Sequence, residues 1–253
     1  MLDCPTFLKL PIRAAKPRSR GITHVLDGGL TPDATRGLLD QAGHLVDILK
    51  LGWGIGYVDP TLAARTQMCQ ERGCQVSLGG TLMEVAALQG RVGELRDWAL
   101  SVGISHVEVS NGLQALPDRR KRALVRELSA DFVVLAETGA KVESSPPTPT
   151  EWADEMARDL EAGAAWVVAE GRETGTVGLY DSDCAVREDL VKTILTWIPQ
   201  DRVIFEAPIK MQQAWFVRQL GPDVNLGNVA PAGVLALETL RLGLRADTAS
   251  TGR

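Results

Sequence analysis

The sequence predicts an α/β protein folded as a single (β/α)8 TIM barrel, and three observations carry that reading. Eight short apolar runs alternate with amphipathic segments of helix length from one end of the chain to the other. No linker or shift of composition divides them, and a chain of 253 residues suits one barrel of this kind. The runs are apolar throughout rather than alternating, as expected of parallel strands covered on both faces. A doubly wound open sheet is the other arrangement these units could take. The expected layout is an N-terminal extension over 1–20, the barrel over 21–248 and a tail over 249–253.

Taken in order, strands are expected at 22–27, 46–51, 75–78, 104–109, 132–137, 166–170, 202–206 and 224–226. The helix at 34–42 follows Thr31-Pro32-Asp33, which supplies an N-cap and a first-turn proline, and Asp59-Pro60 does the same for 61–72. Further helices are expected at 83–102, in one piece or two, and at 118–129, 150–163, 186–197, 211–220 and 231–242. Gly73, Gly103, Gly163 and Gly221 close four of these segments and suit left-handed C-caps. The segment 144–150, Ser-Ser-Pro-Pro-Thr-Pro-Thr, reads as a stiff loop after strand five, either a spacer or a lid over the barrel mouth.

Hydrophobic residues make up 45% of the chain, enough for a sizeable core, and this excludes a disordered or disulfide-stapled chain. A net charge of -5 argues against a broad basic footprint for nucleic acid or acidic lipid, while leaving room for a local anion pocket. No apolar stretch reaches the roughly 18 residues that span a bilayer. The four cysteines form no CxxC pair or zinc spacing, so reduced thiols in a cytoplasm are expected. His24 and His106 fall inside apolar strands and read as core or pore side chains. Four of the tryptophans, Trp152, Trp166, Trp197 and Trp215, read as packing.

In such a barrel the loops after the strands build the active site. Asp27, Glu137, Glu170 and Glu206 end strands, and Glu108 lies within one, while Lys50, Lys141, Arg172 and Lys210 stand within a few residues of strand ends. Converging carboxylates repel unless countered by cations, so they either pair with these bases or hold a divalent metal through oxygen ligands. The cations could bind carboxylate or phosphate on a substrate. Turns at Gly52-Trp53-Gly54, Gly79-Gly80-Thr81 and Gly227-Asn228 would let backbone N–H groups approach an anion, or serve only as tight connections. No Walker A motif is present, nor a GxGxxG at a strand-to-helix junction.

As a set, the strand-end strings resemble the phosphosulfolactate synthase family. They are GITHVLD at 21–27, VDILKLGWG at 46–54, GGTLME at 79–84, VEVSNG at 107–112 and AETGAK at 136–141. They continue with EGRETG at 170–175, FEAPIK at 205–210 followed by Gln212 and Gln213, VNLGN at 224–228, LETLR at 237–241 and LRADT at 244–248. The resemblance implies a (β/α)8 barrel, a homo-oligomer, dependence on Mg²⁺ and no organic cofactor. It also implies a lyase that adds sulfite to phosphoenolpyruvate, and the charge and apolar pattern above add the expectation of no nucleic-acid or membrane partner. Carried onto this chain, it implies Lys141 as the proton donor. Substrate binding would fall to Lys50, Gly79, Gly80, Thr81, Ser110, Arg172, Lys210 and Asn228. Metal binding would fall to Glu137, Glu170 and Glu206, with Asp27 and Glu108 as further candidates.

Departures from the family pattern lie at the rim. Gly28 stands where the family has a lysine after the strand-one aspartate, Asn111 where it has an aspartate, and Ile55 where it has a small hydroxyl residue. The two charge changes could compensate each other, or could retune the second substrate so that another small nucleophile is added. A non-enzymatic relative of the heat-tolerance type is the remaining alternative.

Overall fold

The protein is seen in a computed structural model that describes residues 5, 7–113, 116–139 and 147–249. Eight strands close a parallel barrel in sequence order: β1 (Thr23–Asp27), β2 (Ile48–Leu51), β3 (Gln75–Leu78), β4 (His106–Val109), β5 (Val133–Thr138), β6 (Trp166–Ala169), β7 (Val203–Glu206) and β8 (Leu226–Val229). Helices α1 (Pro32–Ala42), α2 (Ile55–Val58), α3 (Leu62–Glu71), α4 (Gly80–Leu88) and α5 (Val92–Ser101) cover the first half. The second half carries α6 (Asp118–Leu128), α7 (Pro149–Ala162), α8 (Glu188–Trp197), α9 (Lys210–Leu220) and α10 (Val234–Arg241). The expected TIM barrel is therefore the fold.

Strand side chains split by parity into two cores. Val25, Leu49, Leu51, Val134, Ala136, Val167, Ala169, Val203 and Phe205 belong to the large core under the helices. The residues between them, Ile48, Leu135, Val168 and Ile204 with Ile22, form a separate small cluster. In a closed barrel that second row faces the axis. Two residues further along each strand, the same inward row reads Lys50, Glu137, Glu170 and Glu206. An aliphatic plug thus fills the lower barrel, and a charged layer sits above it at the carboxyl ends.

Several boundaries differ from expectation for local reasons. The 83–102 segment is two helices, broken at Gly90, whose φ of 67° is left-handed. Val46 and Ile104 precede their strands because their N–H groups close helix ends, on the carbonyls of Ala42 and Ala99 at 3.3 and 3.0 Å. Val224 N–H is likewise spent on Gly221 O at 3.3 Å, which delays β8 to Leu226. Helix α2 is an addition to the expected elements, and a 3₁₀ turn, Pro231–Gly233, precedes α10.

The Thr31-Pro32 signal acts as read, whereas Asp59-Pro60 stands before α3, whose N-cap is Thr61, and Asp59 Oδ1 accepts from Thr61 N–H at 2.8 Å. Thr31 Oγ1 accepts from Ala34 N–H at 3.2 Å, and Gly163 caps α7 in the left-handed region. Gly73, Gly103 and Gly221 also take positive φ. Helix α7 starts one residue before the expected 150, because Thr148 and Glu151 form a capping box around Pro149. The remainder of the proline-rich loop, 144–146, lies outside the described residues. No described helix is long and apolar enough to cross a membrane.

Candidate active site

The carboxyl ends of the strands surround a cavity of about 380 Å³. Leu26, Lys50, Trp53, Glu108, Leu113, Glu137, Glu170, Arg172, Glu173, Glu206 and Asn228 line it, together with the turn Gly79-Gly80-Thr81 and Gly52. Strand parity aims the acidic side chains inward, the loops after β2, β3, β4 and β6 supply the rim, and Asn228 comes from β8 itself.

At its base the Lys50 ammonium, from β2, lies 2.9 Å from Glu108 Oε2 on β4, 2.9 Å from Glu206 Oε1 on β7 and 3.6 Å from Glu137 Oε2 on β5. All four residues are buried. Burial alone would lower the lysine, but Glu108, Glu206 and Glu137 hold it well above its usual range, so it is an ammonium ion. Burial pushes the Glu108 carboxyl up to about 7; Lys50 pulls it down, Glu137 pushes it further up. Three carboxylates against one ammonium leave a deficit of positive charge at the base of the cavity.

Backbone groups fix these carboxylates. Gly80 N–H, at the start of α4, donates to Glu108 Oε1 at 3.0 Å, and Gly171 N–H donates to Glu206 Oε2 at 2.9 Å. A side chain at Gly80 would collide with the Ser110 hydroxyl, and one at Gly171 with the Glu206 carbonyl and the Tyr180 ring. Arg172 sits at φ 47°, a left-handed conformation, and its N–H donates to Glu170 Oε1 at 3.2 Å. Non-glycine residues seldom hold this conformation unless their surroundings impose it. Asn228, at φ 52°, is also left-handed, and its buried Oδ1 has no hydrogen-bond partner among the described residues.

The donor chemistry fits a hard divalent cation. One oxygen each from Glu108, Glu137 and Glu206 lies within 4.8 Å of the others, all three buried. All-oxygen carboxylate sets suit Mg²⁺ or Mn²⁺ better than softer metals. Glu137 and Glu206 thus come together as expected for metal. Glu170, named with them from the sequence, lines the cavity but stands outside this trio, and Glu108 takes its place.

The other expected residues divide. Lys50, Gly79, Gly80, Thr81, Arg172 and Asn228 line the cavity. Ser110 does not; it is buried behind Gly80 and donates to Glu84 Oε1. Lys210 turns away at the first position of α9, half-exposed, and pairs with Asp247 at 2.8 Å. Asp27 has the outward parity of Val25 and accepts from Gly29 N–H at 2.7 Å, Leu30 N–H at 2.6 Å and the buried Arg65 guanidinium. Lys141 lies outside the described residues.

Three supporting residues escape a reading of the sequence because they sit on helices. Arg65 joins Asp27 to Asp59, at 2.7 Å from the latter. Glu84 on α4 accepts from Gly112 N–H at 3.1 Å and Leu113 N–H at 2.8 Å, so it shapes the loop after β4. Lys121 on α6 donates to the Glu137 carbonyl at 2.7 Å and pairs with Glu155 and Asp159 at 2.5 and 2.6 Å. The GGTLME string could have flagged Glu84. Beneath the charged layer, His24 is fully buried with neither ring nitrogen hydrogen-bonded among the described residues, and burial pushes His106 down to about 4.

Comparison with known proteins agrees with this architecture. Residues 11–247 match the sequence model of the (2R)-phospho-3-sulfolactate synthase (ComA) family. Phosphosulfolactate synthase of Methanothermobacter thermautotrophicus is 39% identical over 245 residues, covering 94% of this chain and 95% of that protein. Its namesake in Bacillus subtilis is 36% identical over 244 residues, covering 95% and 97%. Among solved structures, a 3-hexulose-6-phosphate synthase superposes with a TM-score of 0.57 at 15% identity, over 87% of this chain and 98% of its own. The Salmonella typhimurium protein of that name gives 0.58 at 15% identity, over 85% and 95%. At that identity the structural likeness shows the barrel alone. On the family match and the curated relatives, the chain belongs to the phosphosulfolactate synthase family.

Proposed function

We propose that this protein catalyses the Mg²⁺-dependent addition of sulfite to phosphoenolpyruvate, a carbon–sulfur lyase reaction run in the direction of synthesis, giving 2-phospho-3-sulfolactate. The observation that carries the reading is the buried group of Glu108, Glu137, Glu206 and Lys50 at the base of a cavity rimmed by Arg172. It combines a hard-cation donor set with cationic side chains for a small polyanion, as phosphoenolpyruvate requires.

In this reading the sulfite sulfur lone pair forms a bond to the methylene carbon of phosphoenolpyruvate. The double-bond electrons move toward the carboxylate, giving an enolate-like dianion, and the carbon bearing phosphate then takes a proton. A divalent cation held by Glu108, Glu137 and Glu206 would supply Lewis-acid stabilisation of that charge. Arg172 and Lys50 hold the anionic groups in place, and the α4 start at Gly79-Gly80-Thr81 faces them with its positive end. Lys141 is the proton donor in this scheme. Substrate binding rests on Lys50, Arg172, Thr81 and Asn228, with Lys210 and Ser110 left to supporting roles.

A second reading, addition of another small nucleophile, is favoured by the rim at Gly28. That residue offers no cation there and faces the Trp53 ring, 3.9 Å from where its Cβ would stand. The test is ³¹P NMR of the protein with phosphoenolpyruvate, Mg²⁺ and sulfite, with and without EDTA. A new phosphate-ester resonance that disappears with EDTA supports the first reading. Phosphoenolpyruvate that raises the melting temperature yet gives no product with sulfite supports the second. A cytoplasmic homo-oligomer is part of the same proposal.

A further inference from the structure

We infer that the Lys50 ammonium is a resident counter-cation that occupies the divalent-metal position, and that metal entry expels it toward the bound anion. The inference rests on the metal site named in the proposed function and concerns how that site is loaded.

The geometry carries it. An ammonium donates to carboxylate oxygens at about 2.7–2.9 Å, and Lys50 Nζ meets Glu108 and Glu206 at 2.9 Å each, with Glu137 at 3.6 Å. Mg²⁺ holds its ligands at about 2.0–2.1 Å. The cradle therefore has the dimensions of an ammonium site, with the ammonium at the point the three carboxylates share. Loading it with metal requires the Glu108 and Glu206 oxygens to close in by about 0.8 Å and the Glu137 oxygen by about 1.5 Å. It also requires the lysine head to leave, since two cations cannot share the point.

Two further features say where the exchange leads. Asn228 Oδ1 is buried in the same cavity without a hydrogen-bond partner among the described residues, an oxygen open to a cation or to the departing ammonium. The lysine side chain lines the cavity, and its flexible four-carbon stem can lift the head from the base toward the Arg172 rim. Metal and substrate anion then bind in order. The metal frees a positive charge for the anion, and by linkage the anion raises the affinity for metal by the same factor.

The test uses Mn²⁺ binding, followed by the electron paramagnetic resonance of free ion, on wild type, Lys50→Met and Lys50→Arg. Lys50→Met is expected to bind Mn²⁺ at least tenfold more tightly than wild type, and Lys50→Arg, which keeps the charge, within about threefold of wild type. Equal or weaker binding by Lys50→Met, or tightening by Lys50→Arg as large as that by Lys50→Met, overturns the inference.

A second measurement uses the wild type alone, so it survives misfolding of a variant. Acetic anhydride labelling mapped by mass spectrometry should find Lys50 protected in metal-free protein and labelled at least fivefold faster with saturating Mg²⁺. Unchanged or slower labelling contradicts the exchange. Neither readout needs turnover: absence of a sulfite product would sink the proposed reaction and leave the exchange standing, and the reverse result would do the opposite.

Discussion

Lys50 on β2 and Glu206 on β7 meet at 2.9 Å across the barrel, 156 positions apart in the sequence. The contact is the pin of the charged layer, because Glu206 also accepts the Gly171 N–H that begins the loop after β6. Glu206→Gln keeps the shape and removes one negative charge from the metal cradle. The variant should fold, and turnover should fall by about 10²–10³-fold, the scale seen when one electrostatic partner of a reacting group is lost. Steady-state kinetics at saturating Mg²⁺ checks this; a fall of less than threefold would remove Glu206 from the machinery.

Glu84 organises the loop after β4 without lining the cavity. Glu84→Ala strands the Gly112 and Leu113 N–H groups and the Ser110 hydroxyl. Each unsatisfied buried donor costs about 1–3 kcal/mol, less where water reaches it. Urea unfolding should show a loss of about 3 kcal/mol. Because Leu113 and Gly80 border the cavity, KM for phosphoenolpyruvate should rise more than kcat falls.

Much of the fold and site is legible in the sequence, and the exceptions share a cause. Composition and glycine punctuation mark the eight units, and strings at strand ends point to Lys50, Glu137 and Glu206. Proximity to a strand end, however, does not fix direction. Lys210 follows β7 closely yet turns outward to Asp247, and Asp27 ends β1 with the parity that faces Arg65. Strand parity would have ranked Glu108, two residues after the inward His106, with Glu137 and Glu206. Arg65, Glu84 and Lys121 sit on helices, where the sequence does not distinguish a solvated charge from one aimed at a strand end.

Lys121 illustrates the stakes of such a charge. It is buried, supports the Glu137 carbonyl, and neutralises Asp159, which is itself fully buried. Lys121→Met leaves Asp159 without its cation, so stability should drop by about 3–5 kcal/mol in urea unfolding. The double variant Lys121→Met, Asp159→Leu should recover most of it. Failure of the double variant to recover would show that the contact with the Glu137 carbonyl stabilises the fold more than the ion pair does.

His24 makes stability depend on pH with a definite sign. Burial and then the Lys50 charge hold its imidazole well below the usual range. The unfolded chain therefore takes up a proton near pH 6.5 while the folded chain does not. Stability is fully present above that pH and is lost as the pH falls, by about 1.4 kcal/mol per unit, until the folded imidazole also protonates. His24→Leu should match wild type or exceed it at pH 7.5, and its advantage should widen between pH 6.5 and 5. Parallel stability curves for the two proteins would contradict the assignment.

The most direct measurement is ¹³C NMR of the product formed from [3-¹³C]phosphoenolpyruvate and sulfite in D₂O with Mg²⁺, using wild type and Lys141→Ala. The expected product has its labelled carbon bonded to sulfur, next to a phosphate-bearing carbon that has gained one solvent deuterium. Lys141→Ala should lose turnover while phosphoenolpyruvate still raises its melting temperature. Phosphoenolpyruvate recovered unchanged, or deuterium at the labelled carbon with no carbon–sulfur bond, would contradict sulfite addition at this site.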